Sequence, residues 1–151
     1  MTVLTRRRFL TLSSGLMAGA MLSACVSMEN EEPVPKDVEI PASEIPQAGG
    51  APLQKQSERF FVIHNEDGLL ALSARCTHQG CNVGWEAGSE EFHCPCHGSI
   101  FNRHGERTDG PAPRPLELLA LTVSPDGSLV VTTGTATERD EWQPDQSVPL
   151  T

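Results

Sequence analysis

The sequence predicts a mostly antiparallel β fold over roughly residues 36–134, and three observations carry that reading. Two pairs of short apolar runs are each joined through an Asp-Gly step, which is a hairpin signal. No segment of this region repeats its apolar residues with the 3.6-residue period of a helix. At 151 residues, with 38% hydrophobic and 5% aromatic residues, the chain has room for one domain with a modest core. Domains of this kind often need a metal or a disulfide as an added staple.

Within the domain, Asp37 to Ile40 begins the first strand, and a loop punctuated by Pro and Gly runs from there through Pro52. Phe60–Ile63 and Leu69–Leu72 form one hairpin around Asn65-Glu66-Asp67-Gly68. Leu116–Val123 and Leu129–Thr132 form a second around Ser124-Pro125-Asp126-Gly127. The polar tail at 135–151 is expected to be loosely held. There is no internal repeat and no glycine motif for cradling phosphate. With 20 acidic against 11 basic residues and a formal charge of −9, the balance argues against nucleic acid, which demands a basic face.

Ahead of the domain, residues 1–25 read as an address. Polar residues ending in Arg6-Arg7-Arg8 precede an uncharged run from Phe9 to Ala24, the order of an export signal. The run is short and rich in small residues for a membrane span, which needs about 20 apolar residues. Thr5-Arg6-Arg7-Arg8-Phe9-Leu10 resembles the twin-arginine signal of proteins exported already folded. Leu22-Ser23-Ala24-Cys25 resembles the lipobox of bacterial lipoproteins, which implies lipidation at Cys25; the alternative is an uncleaved membrane anchor. Either way the domain is tethered outside the cytoplasm. The stretch 26–35 is acidic and Pro-containing, the composition of a flexible linker.

Function is decided by two tight groups, Cys76-Thr77-His78-Gln79-Gly80-Cys81 and Cys94-Pro95-Cys96-His97-Gly98-Ser99. Four cysteines in an exported protein can form two disulfides, but the matched histidines are then unexplained. A structural zinc site would use Cys and His, yet it needs four ligands and six are present. Haem attachment requires Cys-x-x-Cys-His, and Cys94-Pro95-Cys96-His97 is one residue short of it. His64, His93 and His104 stand outside both groups and read as ordinary strand or surface residues.

The two boxes resemble those of the Rieske iron–sulfur subunits of cytochrome bc1 and b6f complexes, over about 100 residues with the flanking strands. The resemblance implies a [2Fe–2S] cluster with Cys76 and Cys94 on one iron and His78 and His97 on the other. It implies a Cys81–Cys96 disulfide locking the loops, which an oxidising compartment permits. Gly110-Pro111-Ala112-Pro113 resembles the third loop that covers the cluster, so Gly110, Pro111 and Pro113 belong beside the site. Ser99 matches the family serine whose hydroxyl reaches a bridging sulfide. Phe101 stands where high-potential relatives place a tyrosine, so a lower potential is expected. Gln79 replaces the leucine usual in quinol-oxidising relatives, which leaves a polar tip. The similar cytosolic Rieske ferredoxins lack the disulfide pair and the export signal.

The same resemblance implies one-electron transfer, as the iron–sulfur subunit of a quinol:cytochrome c oxidoreductase of the bc type. Its partners would be a quinol-oxidising membrane complex and a c-type cytochrome, on the outer face of a bacterial cytoplasmic membrane. The alternatives are a stand-alone lipoprotein carrier, or the small subunit of another exported oxidoreductase of the arsenite oxidase kind. A non-redox, zinc-stapled binding module is the third class.

Overall fold

The computed structural model describes residues 34–150. The leader read at 1–25, with Cys25, and most of the linker at 26–35 lie outside the described residues. Among the described residues, ten strands make two antiparallel sheets. β1 (Lys36–Ile40), β2 (Leu53–Lys55), β3 (Phe60–Asn65), β4 (Gly68–Ser73), β9 (Leu118–Val123) and β10 (Leu129–Thr137) form one sheet, in the order β1-β10-β9-β4-β3-β2. β5 (Gly84–Glu86), β6 (Glu91–His93), β7 (Ile100–Phe101) and β8 (Arg107–Asp109) form the other, in sequence order. Among the described residues the helical segments are two 3₁₀ turns, and no helix is long and apolar enough to cross a membrane.

The all-β expectation stands, and both hairpins fall where the Asp-Gly steps put them. Asn65 pairs with Gly68, which leaves Glu66 and Asp67 as a two-residue turn. Gly68 has φ +123°, a conformation that favours glycine. The second turn is held by Asp126, whose carboxylate accepts from the backbone N–H and the hydroxyl of Ser128.

β3 is a continuous apolar run because the sheet is covered on both faces. Phe60 and Val62 enter a core with Ile40, Leu69, Leu121 and Leu129, while Phe61 and Ile63 point to the opposite side. There they join Phe92, Phe101, Leu116, Cys76 and Cys94 in a second core beneath the smaller sheet. The two sheets are coupled by rings: Phe61 lies 4.8 Å from Phe92, which lies 4.9 Å from Trp85.

The larger sheet is weakly joined at its middle. β4 and β9 share one registered pair, Leu72 with Leu118, while β10 shifts register against β9 between Thr132 and Ala136. The tail corrects the expectation of a loose end. β10 runs on to Thr137, Val148 exchanges backbone hydrogen bonds with Leu69, and Trp142 stacks on His104 at 4.1 Å. Arg139 is 7% exposed and donates to the carbonyls of Leu116 and His104 and to Gln146. A polar composition conceals this docking, because a buried guanidinium is stable only with such acceptors around it.

Candidate metal centre

Both ligand loops are built on the same backbone device. In the first, Cys76 N–H donates to Cys81 O at 2.7 Å and Gly80 N–H to Cys76 O at 2.8 Å. In the second, Cys94 N–H donates to Ser99 O at 2.8 Å and Gly98 N–H to Cys94 O at 3.0 Å. Gly80 and Gly98 both have φ +72°, so each loop turns through the left-handed region at the same place. β5 and β6 connect the loops as a short hairpin.

The loops meet through three kinds of contact. Cys81 and Cys96 form a disulfide with Cα atoms 6.6 Å apart. Cys76 and Cys94 are free thiols, both buried in the core under the loops. The rings of His78 and His97 lie edge to face at 4.7 Å between centroids. Nδ1 of His78 is buried without a hydrogen-bond partner, whereas His97 is exposed. The Sγ atoms of Cys81, Cys94 and Cys96 also lie within 4.8 Å of one another, but two of those sulfurs are spent in the disulfide and cannot ligate.

A third loop presses on the second. A Cβ on Gly110 would collide with Ser99 Cα and sit 2.7 Å from Gly98 O, so only glycine fits there. Ala112, buried, donates its backbone N–H to Ser99 Oγ at 3.1 Å. Pro111 and Pro113 are exposed on either side of it. Thr77 Oγ1 donates to Arg114 O at 2.6 Å, tying the first loop to the end of the third.

Two effects oppose each other at the Cys76 sulfur. Burial pushes its thiol up, with the Cys94 sulfur adding to the rise; hydrogen bonds from His78 N–H and the Ser99 hydroxyl pull it down. A buried thiol that cannot easily ionise alone is stabilised as a thiolate when a metal ion replaces its proton. Two buried thiols, an orphaned imidazole nitrogen and a second imidazole beside it make a donor set that fits two irons, sulfur on one and nitrogen on the other. Phe101 is fully buried in the same core as both free cysteines, and Gln79 is exposed at the loop tip.

Sequence reasoning missed Arg59. Its Nη2 donates to Gly80 O at 2.8 Å and its Nε to Asn82 Oδ1 at 2.6 Å, which braces the first loop from outside. A lone arginine before a strand carries no signal of that role. His64, His93 and His104 make their contacts away from the loops, with Pro46 O, Ser89 and Trp142 respectively.

Comparison with known proteins adds the family. The model of the Rieske [2Fe–2S] domain matches residues 37–125. The cytochrome b6-f complex iron-sulfur subunit of Gloeobacter violaceus is 44% identical over 73 residues, covering 47% of this chain and 39% of that protein. Subunit 2 of Synechocystis is 39% identical over 94 residues, covering 58% and 52%. The chain thus spans about half or less of the length of these curated relatives. Among solved structures, the cyanobacterial plasma membrane Rieske protein PetC3 from Synechocystis is 30% identical, with 50% of this chain and 88% of that chain covered and a TM-score of 0.39. The matched stretch takes in both ligand loops and the third loop, and the chain belongs to the Rieske [2Fe–2S] domain family, with a cluster of that type as its cofactor.

Proposed function

We propose that Cys76 and Cys94 bind one iron and His78 and His97 the other, and that the chain passes single electrons as the iron–sulfur subunit of a quinol-oxidising complex of the bc type. One observation carries the reading: two buried free thiols and two adjacent imidazoles, with His78 Nδ1 buried and unpartnered, face across loops tied by a disulfide. When bound, the cluster supplies a one-electron couple in the Rieske range of about −150 to +300 mV.

The chain's own residues do the rest. Each loop supplies one thiol and one imidazole, so neither iron is held unless both loops are in place. The Cys81–Cys96 bond keeps them in place. Burial of Cys76 and Cys94 excludes water from the sulfur side, while exposed His97 opens the imidazole side to a partner. Because Nδ1 of His78 is the buried ring nitrogen, Nε2 is the atom left to hold a proton released by a quinol. Donors to the Cys76 sulfur, the His78 N–H and the Ser99 hydroxyl, favour the more negative reduced state and raise the potential. Phe101 offers no such donor.

The names of the relatives, subunits of cytochrome b6-f complexes, support a quinol-oxidising membrane partner; a c-type cytochrome as acceptor is part of the proposal. In this reading residues 1–25 export the domain, Cys25 or the apolar run anchors it on the periplasmic face, and residues 26–35 give it reach. Exposed, polar Gln79 favours a second reading, a stand-alone lipoprotein carrier or the small subunit of a different exported oxidoreductase. Two experiments decide. Dithionite-reduced protein should give a Rieske-type EPR signal that His97→Cys alters; a silent or unaltered spectrum refutes the ligand set. Affinity purification from membranes should bring down cytochrome b; a molybdenum subunit, or nothing, refutes the bc assignment.

A further inference from the structure

At the base of the first ligand loop, the register shift in β10 borders a cavity of about 570 Å³ between β10 and the ends of β1 and β4. β-bulges recur beside functional sites, and the side chains facing this one from neighbouring elements are unusual. Lys36, Arg59 and Arg75 all line it, in a chain with a formal charge of −9. None of the three is ion-paired: the described residues hold four such pairs, and they use Lys55, His93 and Arg114. The charge on Arg75 is felt at Arg59, where it adds to burial in lowering the guanidinium pKa. Like charges facing a shared cavity cost energy unless an anion lies between them.

Two acids also line the cavity. Glu117 is taken by Arg114 at 2.5 Å, and the Glu58 carboxylate accepts from the Ser57 hydroxyl at 2.6 Å and faces Lys36 and Lys55. The wall therefore keeps a positive excess. Ser73, 4% exposed, accepts the Arg75 N–H at 3.2 Å and keeps its own hydroxyl proton uncommitted. The Arg75 guanidinium, the Nη1 that Arg59 retains after donating to Gly80 O and Asn82 Oδ1, the Lys36 ammonium and a free hydroxyl suit a group with several acceptor oxygens and more than one negative charge.

We propose that this cavity is a binding site for a phosphate group, held by Lys36, Arg59 and Arg75 with Ser73, which is presented either by a membrane lipid or by a soluble phosphate ester. The site is independent of the electron-transfer reading. Val34, the first described residue, also lines the cavity, so the site lies where the linker enters the domain.

The test uses the full chain in maltoside micelles, titrated calorimetrically with inorganic phosphate at low ionic strength. Saturable binding is expected, with affinity reduced about tenfold by Arg75→Gln and by Lys36→Gln, the order of one charged hydrogen bond. Lys55→Gln, outside the cavity, should leave it unchanged, and an unaltered EPR signal shows that each variant is folded. Repeating the titration in phosphatidylglycerol nanodiscs separates the sources. Weakened phosphate binding there, together with lipid binding to the nanodisc that Arg75→Gln reduces, assigns the headgroup; equal phosphate binding assigns a soluble ester. No saturable binding, binding indifferent to both substitutions, or acetate binding as tightly as phosphate would overturn the proposal.

Discussion

Three glycines near the cluster share a left-handed backbone but differ in what surrounds them, so they make an internal control. Gly80 and Gly98 have φ +72°, and a Cβ on either would meet nothing within 4 Å. Gly110 has φ +86°, and its Cβ would meet Ser99 Cα, Gly98 O at 2.7 Å and Ser99 N at 2.8 Å, all backbone. Alanine at 80 or 98 therefore incurs only the left-handed conformation, about 1–2 kcal/mol. Alanine at 110 adds overpacking that no side-chain rotation relieves, a further ~1–3 kcal/mol. Taking that excess as about 2 kcal/mol, Gly110→Ala should melt roughly 8–16 °C below Gly98→Ala. It should also bleach sooner, because the displaced third loop uncovers the second. Calorimetry of the cluster-loaded protein, followed in parallel by visible absorbance, reads both effects. If Gly110→Ala melts within about 2 °C of Gly98→Ala, the close approach does not hold the loop and the argument fails.

The same contacts set other outcomes. Ser99→Ala orphans the buried Ala112 N–H and removes a donor from the Cys76 sulfur. A differential of about 1 kcal/mol corresponds to roughly 40 mV, so film voltammetry should show a fall of that order; an equal or higher potential would contradict the donor role. Phe101→Tyr places a hydroxyl in the core that holds both free cysteines and should raise the potential. A value unchanged or lowered would mean that no sulfur lies within its reach. Arg139→Met leaves the carbonyls of Leu116 and His104 without their donor and should cost about 2–4 kcal/mol in urea unfolding, against under 0.5 if the tail is passive. His104 is stacked on Trp142, and burial holds its pKa below the usual 6.5, against the pull of Glu106 and Asp67. The unfolded chain then binds the proton more readily, so stability falls as pH drops from about 6.5 towards the folded value. Replacing His104 with Phe should flatten that part of the pH–Tm profile, and an unaltered slope would assign it elsewhere.

Much of this molecule was legible where local chemistry and spacing carry the message. Asp67-Gly68 and Asp126-Gly127 named the hairpins because only a few residues tolerate those turn angles. The paired cysteine and histidine boxes named the cofactor because a Rieske centre, with two cysteines on one iron, two histidines on the other and a disulfide beside them, accounts for all six residues. The small sheet was not legible: strands of two and three residues, such as Ile100–Phe101, are too short to show alternation. The tail misled for a different reason. Arg139 and Ser147 look like surface residues, yet both are buried, and the burial of Arg139 depends on acceptors brought from distant positions. The brace from Arg59 to Gly80 is likewise a contact between residues that share no motif.

The metal-holding lobe and the frame beneath it differ in how far along the chain their parts must travel to meet. Strands β5 to β8 follow one another between Gly84 and Asp109, so each pairing closes a short loop. The larger sheet is completed by segments far apart in sequence, β1 against β10 and Val148 against Leu69. Short closures form early and long ones late. The iron cradle can therefore take shape on an unfinished base, and the segment from Arg139 to Val148 acts as the latch that makes it secure. A chain clipped before Arg139 would still own every ligand, yet would carry its cluster on an open frame.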